Sequence, residues 1–377
     1  MERISYAESA PYDSGLRRAA EALRDGALVV FPTETVYGVG ASAAHAGAMR
    51  RLRALKGGQA HRPFTVHISA RADAQRYAPD APPLARRLAR KLWPGPLTIV
   101  LEVGQPEETE AARSIPREQL GEIYSGRTVG LRCPDHAAAI ELLRHAGVPV
   151  VASSANRAGQ PPPLTLDAAL GAIGDDVDLA VDAGRTRFDS ASTIVEIDGS
   201  AWKVTRAGVL NERTIQRAAQ REILFVCTGN SCRSPLAEYM LRDKLSRRLG
   251  VPAARALETG YVVSSAGTAA FEGGRISSGS ADELARRGID ARSHRTQPLS
   301  LELLHRAERV YTMSDDHRET ILAMAPHAAD RVFPLDPSGP VSDPIGGGPE
   351  QYQRCAEQIE RAVDARLEEL LDEDRNW

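Results

Sequence analysis

The sequence predicts an α/β protein of two domains, the first with a twisted mixed sheet and the second with a parallel sheet. Short apolar segments alternate with amphipathic ones along all 377 residues, which is typical of α/β folds. The apolar run 223–226 leads through a Cys-x5-Arg loop into a helix, as a buried parallel strand does. The charged, helix-like segment 211–222 separates this run from the first pattern and predicts a linker.

The composition is that of a folded protein. Hydrophobic residues make up 42% of the chain and the formal net charge is −3, which predicts a packed core and no general affinity for polyanions. The first residues lack the apolar core of a signal peptide, and no run of 18 apolar residues occurs, so we expect no membrane span. The four cysteines are too few and too scattered for a disulfide framework, which favours a reducing cytoplasm.

Hydrophobic periodicity predicts the elements of the first half. Apolar runs predict strands at 27–31, 64–68, 97–103, 128–132, 148–152, 179–182 and 193–197. Amphipathic patterns predict helices at 16–26, 46–55, 83–92 and 136–146. The third helix ends at Trp93-Pro94-Gly95-Pro96, because proline cannot continue it. The polar stretch 105–126 predicts a surface loop.

The loops that follow these strands carry polar groups. Hydroxyl and amide side chains lie there at Thr33, Thr35, Ser154, Asn156, Ser192 and Thr193. Cations stand among them at Lys56, Arg62, Arg132 and Arg206. Cations and hydroxyls above glycine-rich turns suit a triphosphate and a small polar metabolite. On composition alone, a purely structural role for these residues is the alternative.

The second half begins with the strand 223–226 and a helix that has Pro235 in its first turn. A strand that meets a helix in this way directs backbone N–H groups and the positive helix end at one point, which predicts an anion site. Cys227 and Arg233 stand at the two ends of the loop. A thiolate nucleophile beside a planar guanidinium group that can bind two phosphate oxygens predicts phosphoryl transfer through a cysteinyl-phosphate. The alternative is a structural thiol near a surface charge.

From residue 223 to the C-terminus the sequence resembles the low-molecular-weight protein tyrosine phosphatases. The resemblance rests on the loop 227–235, on Ser265-Ala-Gly-Thr268, and on Ser342-Asp343-Pro344 before a helix predicted at 352–371. It implies that Asp343, on a glycine-hinged turn, protonates the leaving group and then activates water, without a cofactor. The other loop residues of the implied site are Thr228, Gly229, Asn230, Ser231, Cys232 and Ser234.

Single loop positions carry further expectations. The resemblance implies that Asn230 braces the loop and that Ser234 hydrogen-bonds the thiolate. A reversible disulfide between Cys227 and Cys232 would protect the nucleophile from over-oxidation. Family members that hydrolyse phosphoarginine have a small hydroxyl residue where this chain has Ser231, and an Asp-Pro-x-Gly-Gly turn like that at 343–347.

Two histidines of the second half, His294 and His317, have no metal-ligand spacing. We expect them to be structural or exposed, and we expect no metal site in the chain.

Residues 16–208 resemble the YrdC family in five ordered motifs. The motifs are Phe31-Pro-Thr-Glu-Thr-Val-Tyr-Gly38, Trp93-Pro-Gly-Pro-Leu-Thr98, Thr128-Val-Gly-Leu-Arg132-Cys-Pro-Asp-His136, Ser154-Ala-Asn156 and Arg206-Ala-Gly208. The resemblance implies synthesis of L-threonylcarbamoyl-adenylate from L-threonine, bicarbonate and ATP with Mg²⁺. The product serves threonylcarbamoyladenosine formation in tRNA, so tRNA or tRNA-modification proteins are implied partners.

The same resemblance implies two sets of binding residues. Those for threonine are Thr35, His67, Arg132 and Ser192. Those for ATP are Lys56, Arg62, Thr128, Ser154, Asn156 and Arg206. Such a cationic groove would neutralise the phosphates. Two positions depart from the family pattern: Gly58 replaces an arginine, which His61 or Arg62 could substitute, and Pro161-Pro162-Pro163 stands where a serine for ATP is expected.

The sequence therefore predicts a bifunctional cytoplasmic enzyme, with a YrdC-like synthase domain at 1–210 and a low-molecular-weight phosphatase domain at 221–377. The phosphatase would act on a phosphorylated protein, with phosphoarginine favoured over phosphotyrosine. Because Gly58 removes a phosphate clamp, the alternative is a protein tyrosine phosphatase whose first domain is a non-catalytic module that binds a nucleotide or RNA.

Overall fold

The chain folds as two compact units, Met1–Ala218 and Ala219–Arg375. The computed structural model describes residues 1–6, 14–57, 63–252, 260–374 and 377. The helices of the first unit are α1 (Ser14–Arg24), α2 (Ala46–Leu55), α3 (Pro83–Leu92), α4 (Ala137–Ala146) and α5 (Leu166–Ile173), and α6 (Glu212–Ala219) ends at the boundary. Its strands are β1 (Glu2–Ser5), β2 (Val29–Phe31), β3 (Gly38–Ser42), β4 (Thr65–His67), β5 (Leu97–Glu102), β6 (Tyr124–Ser125), β7 (Thr128–Arg132), β8 (Val150–Ser154), β9 (Leu179–Asp182), β10 (Thr193–Asp198) and β11 (Ala201–Arg206).

These strands form one mixed sheet in the order β1-β9-β2-β3-β8-β4-β7-β5-β10-β11, with β6 paired to β7. The sheet contains both parallel pairs, such as β4 with β7, and antiparallel pairs, such as β3 with β8. Helices α1 and α4 pack on one face, where Phe31 and Val150 belong to a fully buried cluster. The predicted mixed α/β sheet is confirmed.

Strand register places three polar side chains of this sheet on one face. His67 pairs with Arg132 on β7 and with Val150 on β8, and Arg132 also pairs with Thr98 on β5. Paired residues of neighbouring strands point to the same face of a sheet. His67, Arg132 and Thr98 therefore stand side by side, next to Phe31, whose ring meets that of His67 edge-on at 6.2 Å.

The second unit is a four-stranded parallel sheet in the order β13-β12-β14-β15. Its strands are β12 (Arg221–Cys227), β13 (Tyr261–Gly267), β14 (Arg309–Thr312) and β15 (Val332–Pro334). Its helices are α7 (Arg233–Leu249), α8 (Ser278–Arg286), α9 (Leu301–Arg306), α10 (Asp315–Met324) and α11 (Pro349–Glu373). Alternate residues of β12 enter two different buried clusters, one with α7 and α11 and the other with α9 and α10. A central strand buried on both faces explains why the run 223–226 is continuously apolar.

The stretch 105–126 is not the polar surface loop that its composition predicts. It forms three short 3-10 helices and β6, and it buries Ile115, Ile123 and Tyr124. The prediction was wrong because the apolar residues here follow neither the period of a helix nor that of a strand. Helix α5 and strands β1, β3 and β11 were also missed. Among the described residues, no helix is both long and apolar enough to cross a membrane.

The core of the second unit gives a stability prediction. Phe225 is fully buried and stacks on Tyr311 at 5.6 Å between ring centroids. We expect Phe225→Ala to lower the free energy of unfolding of this unit by about 3–5 kcal/mol, because it leaves a cavity. Urea unfolding of the full chain, followed by circular dichroism, measures the change. The matched control is Phe271→Ala, since Phe271 is 88% exposed, and it should change stability by less than about 0.5 kcal/mol. Equal losses for the two variants would contradict the assignment of Phe225 to the core.

Candidate active sites

The loop between β12 and α7 wraps around the sulfur of Cys227. Cys227 is the last residue of β12, and α7 begins at Arg233. The sulfur accepts a hydrogen bond from the backbone N–H of Asn230 at 3.3 Å and lies 3.0 Å from Oγ of Ser234. The loop therefore surrounds the sulfur of Cys227 with hydrogen-bonding groups at the N-terminus of a helix.

Asn230 holds the loop in a conformation that other residues rarely adopt. Its φ of +54° is the single positive φ of a non-glycine residue in the described part of the chain, and asparagine tolerates this left-handed region better than most residues. Its side-chain amide donates to Ser234 and to Ser265, at 3.0 and 2.7 Å. Its Oδ1 accepts from the backbone N–H of Gln297, and its carbonyl oxygen lies 2.8 Å from Nε2 of His294.

Gly267 lets the end of β13 approach this loop closely. A Cβ atom at position 267 would overlap the carbonyl oxygen of Thr228 and lie 2.9 Å from the backbone nitrogen of Asn230. Only glycine fits where two backbones come this close. The Ser-Ala-Gly motif of the sequence is therefore part of the wall behind the nucleophile.

Arg233 is buried beside the loop and contacts Asp343, which lies far from it in the sequence. Its Nη2 donates to Oδ2 of Asp343 at 2.5 Å and to Oγ1 of Thr228 at 3.3 Å. Its Nη1 donates to the carbonyl of Val341 at 3.3 Å. Its Nε has no hydrogen-bond partner within the described protein. The structure thus brings together Cys227, Arg233 and Asp343, although Asp343 is 110 residues from Arg233.

The remaining loop residues lie around this centre. Gly229 and half-buried Ser231 lie in the loop between β12 and α7, and Cys232 stands directly before α7. The thiol of Cys232 donates to Oγ of Ser277 at 3.3 Å. Both Cys227 and Cys232 are free thiols in this structure.

His317 is a neighbour of the site that sequence spacing did not reveal. It lies on α10, is buried, and its Nε2 is 2.9 Å from Oγ1 of Thr228. Burial lowers its pKa, and the charge of Arg233 lowers it further. A short motif in the sequence could not have shown this contact, because the two residues are 89 positions apart.

In the first unit, Arg132 is the centre of a buried polar cluster. Its Nη2 donates to Oε1 of Glu34 at 3.0 Å, to Thr35 at 2.6 Å and to Thr33 at 3.3 Å. The arginine and Glu34 are both nearly inaccessible to solvent. Nε of Arg132 has no partner within the described protein. Glu34, which the sequence did not single out, is therefore the ion-pair partner of the central cation.

Two further predicted residues lie at this cluster. Arg206 donates through Nη2 to the carbonyl and the hydroxyl of Ser192, at 2.7 and 2.9 Å. Partial burial and then the charge of Arg132 lower the pKa of Arg206. Burial, followed by the charge of Arg132, lowers the pKa of His67 to about 3, and the imidazole is neutral.

Lys56 forms a second cationic point in the first unit, at the end of α2. Its ammonium donates to the carbonyls of Ser154 and Asn156, both at 2.6 Å, and to Oδ1 of Asn156 at 3.0 Å. These acceptors carry no formal charge, so they leave the ammonium charge uncompensated. Burial lowers the pKa of Lys56 to about 8. A partly buried cation with neutral partners favours an anionic ligand.

Of the other residues predicted for the first site, one lies farther from Arg132 and the others are not among the described residues. Thr128 begins the strand that Arg132 ends, about 13 Å away, and its hydroxyl donates to the carbonyl of Ser125. Gly58, His61 and Arg62 lie outside the described residues.

The fold and the site of the second unit are those of a cysteine-dependent phosphatase, and the first unit is a mixed α/β domain with buried cationic groups. A family model described as telomere recombination, Sua5/YciO/YrdC, matches residues 21–208. The low molecular weight phosphotyrosine protein phosphatase model matches residues 222–376. The chain belongs to the Sua5/YciO/YrdC family in its first half and to the low molecular weight phosphatase family in its second.

Individual relatives agree with both assignments. A putative threonylcarbamoyl-AMP synthase of Mycobacterium tuberculosis is 35% identical over 214 residues, 57% of this chain and 93% of the relative. A protein-arginine-phosphatase of Geobacillus stearothermophilus is 35% identical over 156 residues, 40% of this chain and 97% of the relative. A solved structure of P. abyssi Sua5 complexed with L-threonine shares the fold at 20% identity and a TM-score of 0.50, over 97% of each chain.

Both sets of relatives are enzymes. The chain is therefore bifunctional, and the alternative of a phosphatase with a non-catalytic first domain is not favoured.

Proposed function

We propose that residues 1–210 make L-threonylcarbamoyl-adenylate from L-threonine, bicarbonate and ATP with Mg²⁺, and that residues 221–377 remove phosphate from proteins, phosphoarginine before phosphotyrosine. The observation that carries the proposal is a buried arginine in each unit, Arg132 and Arg233, whose Nε has no partner within the described protein. A buried guanidinium with an unused N–H edge suits a carboxylate or a phosphate.

In the first unit the two cationic points divide the proposed ligands. Arg132, which donates to Thr35, and Ser192, which Arg206 holds, offer hydrogen-bonding groups to the carboxylate and hydroxyl of threonine. Neutral His67 does not repel the substrate ammonium. Lys56 and Arg206 supply positive charge for the triphosphate and for the charge that develops on the α-phosphorus. The putative threonylcarbamoyl-AMP synthase of M. tuberculosis and the Sua5 structure complexed with L-threonine support this choice of substrates.

In the second unit the proposed reaction has two steps. The thiolate of Cys227 attacks phosphorus while Asp343 gives a proton to the leaving group, which breaks its bond to phosphorus and forms cysteinyl-phosphate. Asp343 then takes a proton from water, which attacks the phosphorus and releases phosphate. Ser234, 3.0 Å from the sulfur, stabilises the thiolate as attacker and leaving group. Asp343 must exchange its contact with Arg233 for the leaving group, and its carboxylate is 39% exposed.

Two observations favour phosphoarginine. Ser231 is a small hydroxyl residue in the loop between β12 and α7, and a bulky apolar residue at this position would crowd the loop. The turn after Asp343 carries Ile345, which is 69% exposed, and no aromatic ring that could stack on a phenol. The protein-arginine-phosphatase relative supports the same choice.

The cellular setting follows from the chemistry. A thiolate nucleophile such as Cys227 needs a reducing compartment, so we propose a cytoplasmic location. The product of the first unit would pass to tRNA-modification proteins.

Pyrophosphate release tests the first activity. We expect the full chain to release pyrophosphate from ATP with Mg²⁺ and bicarbonate only when L-threonine is present. Arg206→Ala should lower this rate at least about tenfold by removing a phosphate cation, while Cys227→Ser leaves it unchanged. A coupled pyrophosphate assay measures both. If the wild-type chain releases none, the non-catalytic module is favoured, and Gly58→Arg becomes the informative repair.

The pKa of Lys56 predicts a pH dependence of ATP binding. Binding should weaken by up to about tenfold per pH unit above about 8, because the free protein loses the ammonium proton that the triphosphate would stabilise. Calorimetric titration with a non-hydrolysable ATP analogue from pH 7 to 9.5 measures this slope. Lys56→Met should bind more weakly and lose the slope, whereas the exposed control Lys203→Met should keep it. Identical slopes for Lys56→Met and wild type would contradict the assignment.

Matched phosphopeptides test the second activity and its substrate. Cys227→Ser and Arg233→Ala should each abolish hydrolysis of an aryl phosphate, because they remove the nucleophile and the phosphate clamp, while Cys133→Ser in the first unit has no effect. We expect kcat/KM to be higher for a phosphoarginine peptide than for its phosphotyrosine counterpart, and Ser231→Ile to reverse this order by crowding the loop. Activity retained by Cys227→Ser would refute the cysteinyl-phosphate mechanism. A wild-type preference for phosphotyrosine that Ser231→Ile leaves unchanged would refute the arginine assignment alone.

A further inference from the structure

His317 stands at the head of a line of hydrogen-bonding groups that ends at the general acid. Its Nδ1 lies 2.8 Å from Oγ of Ser314, and its Nε2 lies 2.9 Å from Oγ1 of Thr228. The same Thr228 oxygen accepts from Nη2 of Arg233, which also donates to Asp343. Both ring nitrogens of a residue outside the phosphate loop are thus committed to orienting it.

Ser314, which contacts the ring of His317, does not cap its own helix. Ser314 is the N-cap residue of α10, yet its hydroxyl caps none of the helix N–H groups. N-cap hydroxyls normally accept from the backbone N–H two or three residues on, as Thr165, Ser277 and Ser300 do at α5, α8 and α9. The hydroxyl of Ser314 instead fixes the ring of His317. Helix α10 therefore lacks a side-chain cap at its N-terminus, and the orientation of the imidazole is fixed.

The charge state of His317 suits this arrangement. Its burial and the nearby Arg233 lower its pKa, while Asp316 and Asp343 act in the opposite direction. The neutral ring forms hydrogen bonds with the hydroxyls of Thr228 and Ser314. It adds no positive charge beside the guanidinium of Arg233.

We propose that His317 is a positioning residue of the phosphatase, which holds the hydroxyl of Thr228 and, through it, the guanidinium of Arg233 in the plane that receives the phosphate. The inference rests on the proposed phosphatase function. A guanidinium group binds two phosphate oxygens only when its plane is correctly oriented. A misplacement of about 1 Å costs about 100-fold in rate. His317 therefore influences the reaction without touching the substrate.

Two substitutions that differ in reach test this placement. The amide nitrogen of His317→Gln lies near the position of Nε2 and can still contact Thr228. The amide of His317→Asn reaches only the position of Nδ1 and the contact with Ser314. We expect His317→Ala and His317→Asn to lower kcat/KM for an aryl phosphate by about 10–100-fold, and His317→Gln to recover most of the loss. The exposed ring of His327, which stacks on His305 instead, supplies the control His327→Ala, with no change.

A double-mutant cycle with Thr228→Val gives the second readout. If His317 acts through the hydroxyl of Thr228, the variant with both Thr228→Val and His317→Ala should be no slower than Thr228→Val alone. Calorimetric binding of inorganic phosphate in the Cys227→Ser background should weaken in parallel with kcat/KM. Circular dichroism and thermal unfolding of each variant separate this effect from loss of the fold.

The outcomes separate this inference from the proposed function. Full activity of His317→Ala, additive losses in the cycle, or equal losses for Gln and Asn would overturn the positioning role while Cys227→Ser still confirms the phosphatase. An inactive wild-type chain would overturn the phosphatase function and the inference with it.

Discussion

A guanidinium group withdrawn from water is stable only among acceptors, and the candidate site of each unit is arranged around one such group. In the first unit Arg132 is paired with Glu34, and both side chains are almost completely buried. In the second, buried Arg233 is paired with Asp343, whose carboxylate is 39% exposed. The two ion pairs therefore differ in what they permit. Glu34 cannot leave Arg132 without becoming a buried unpaired charge, so this ion pair is fixed. Asp343 reaches solvent and can exchange its contact with Arg233 for another partner.

The conformation of the phosphate loop depends in turn on one residue with a positive φ. Asn230 turns the chain so that its own N–H points at the sulfur of Cys227. Its side chain satisfies both hydroxyl neighbours and one backbone N–H, which stabilises a backbone conformation that is otherwise unfavourable. Gly267 keeps the space behind it clear. The nucleophile is therefore preorganised by groups that themselves do no chemistry, and His317 extends the same arrangement to the guanidinium.

The polar groups of the first unit form two separate cationic points, unlike those around Cys227 in the second unit. Its polar groups come from the carboxyl end of β7, from the loop after β2, from the end of β11 and from the turn after β8. The cationic cluster at Arg132 and the ammonium of Lys56 are held by separate sets of partners. An extended ligand with negative charge at both ends, such as an amino acid joined to a nucleotide, matches two cationic points better than a compact anion does.

The sequence by itself determined the features that depend on neighbouring residues. The bounds of β7, β9, α2 and α3 agree with those predicted from periodicity, and the loop between β12 and α7 could be recognised because its functional groups lie within a few residues of one another. Tertiary structure alone decided the rest. Asp343 meets Arg233 across 110 residues, and Arg132 meets Glu34 across 98. Sheet order and packing set those contacts, and neither leaves a periodic signal in the chain. For the same reason the stretch 105–126, whose apolar residues are buried by contacts with distant elements and not by a repeat of its own, resembled a surface loop until the fold placed it.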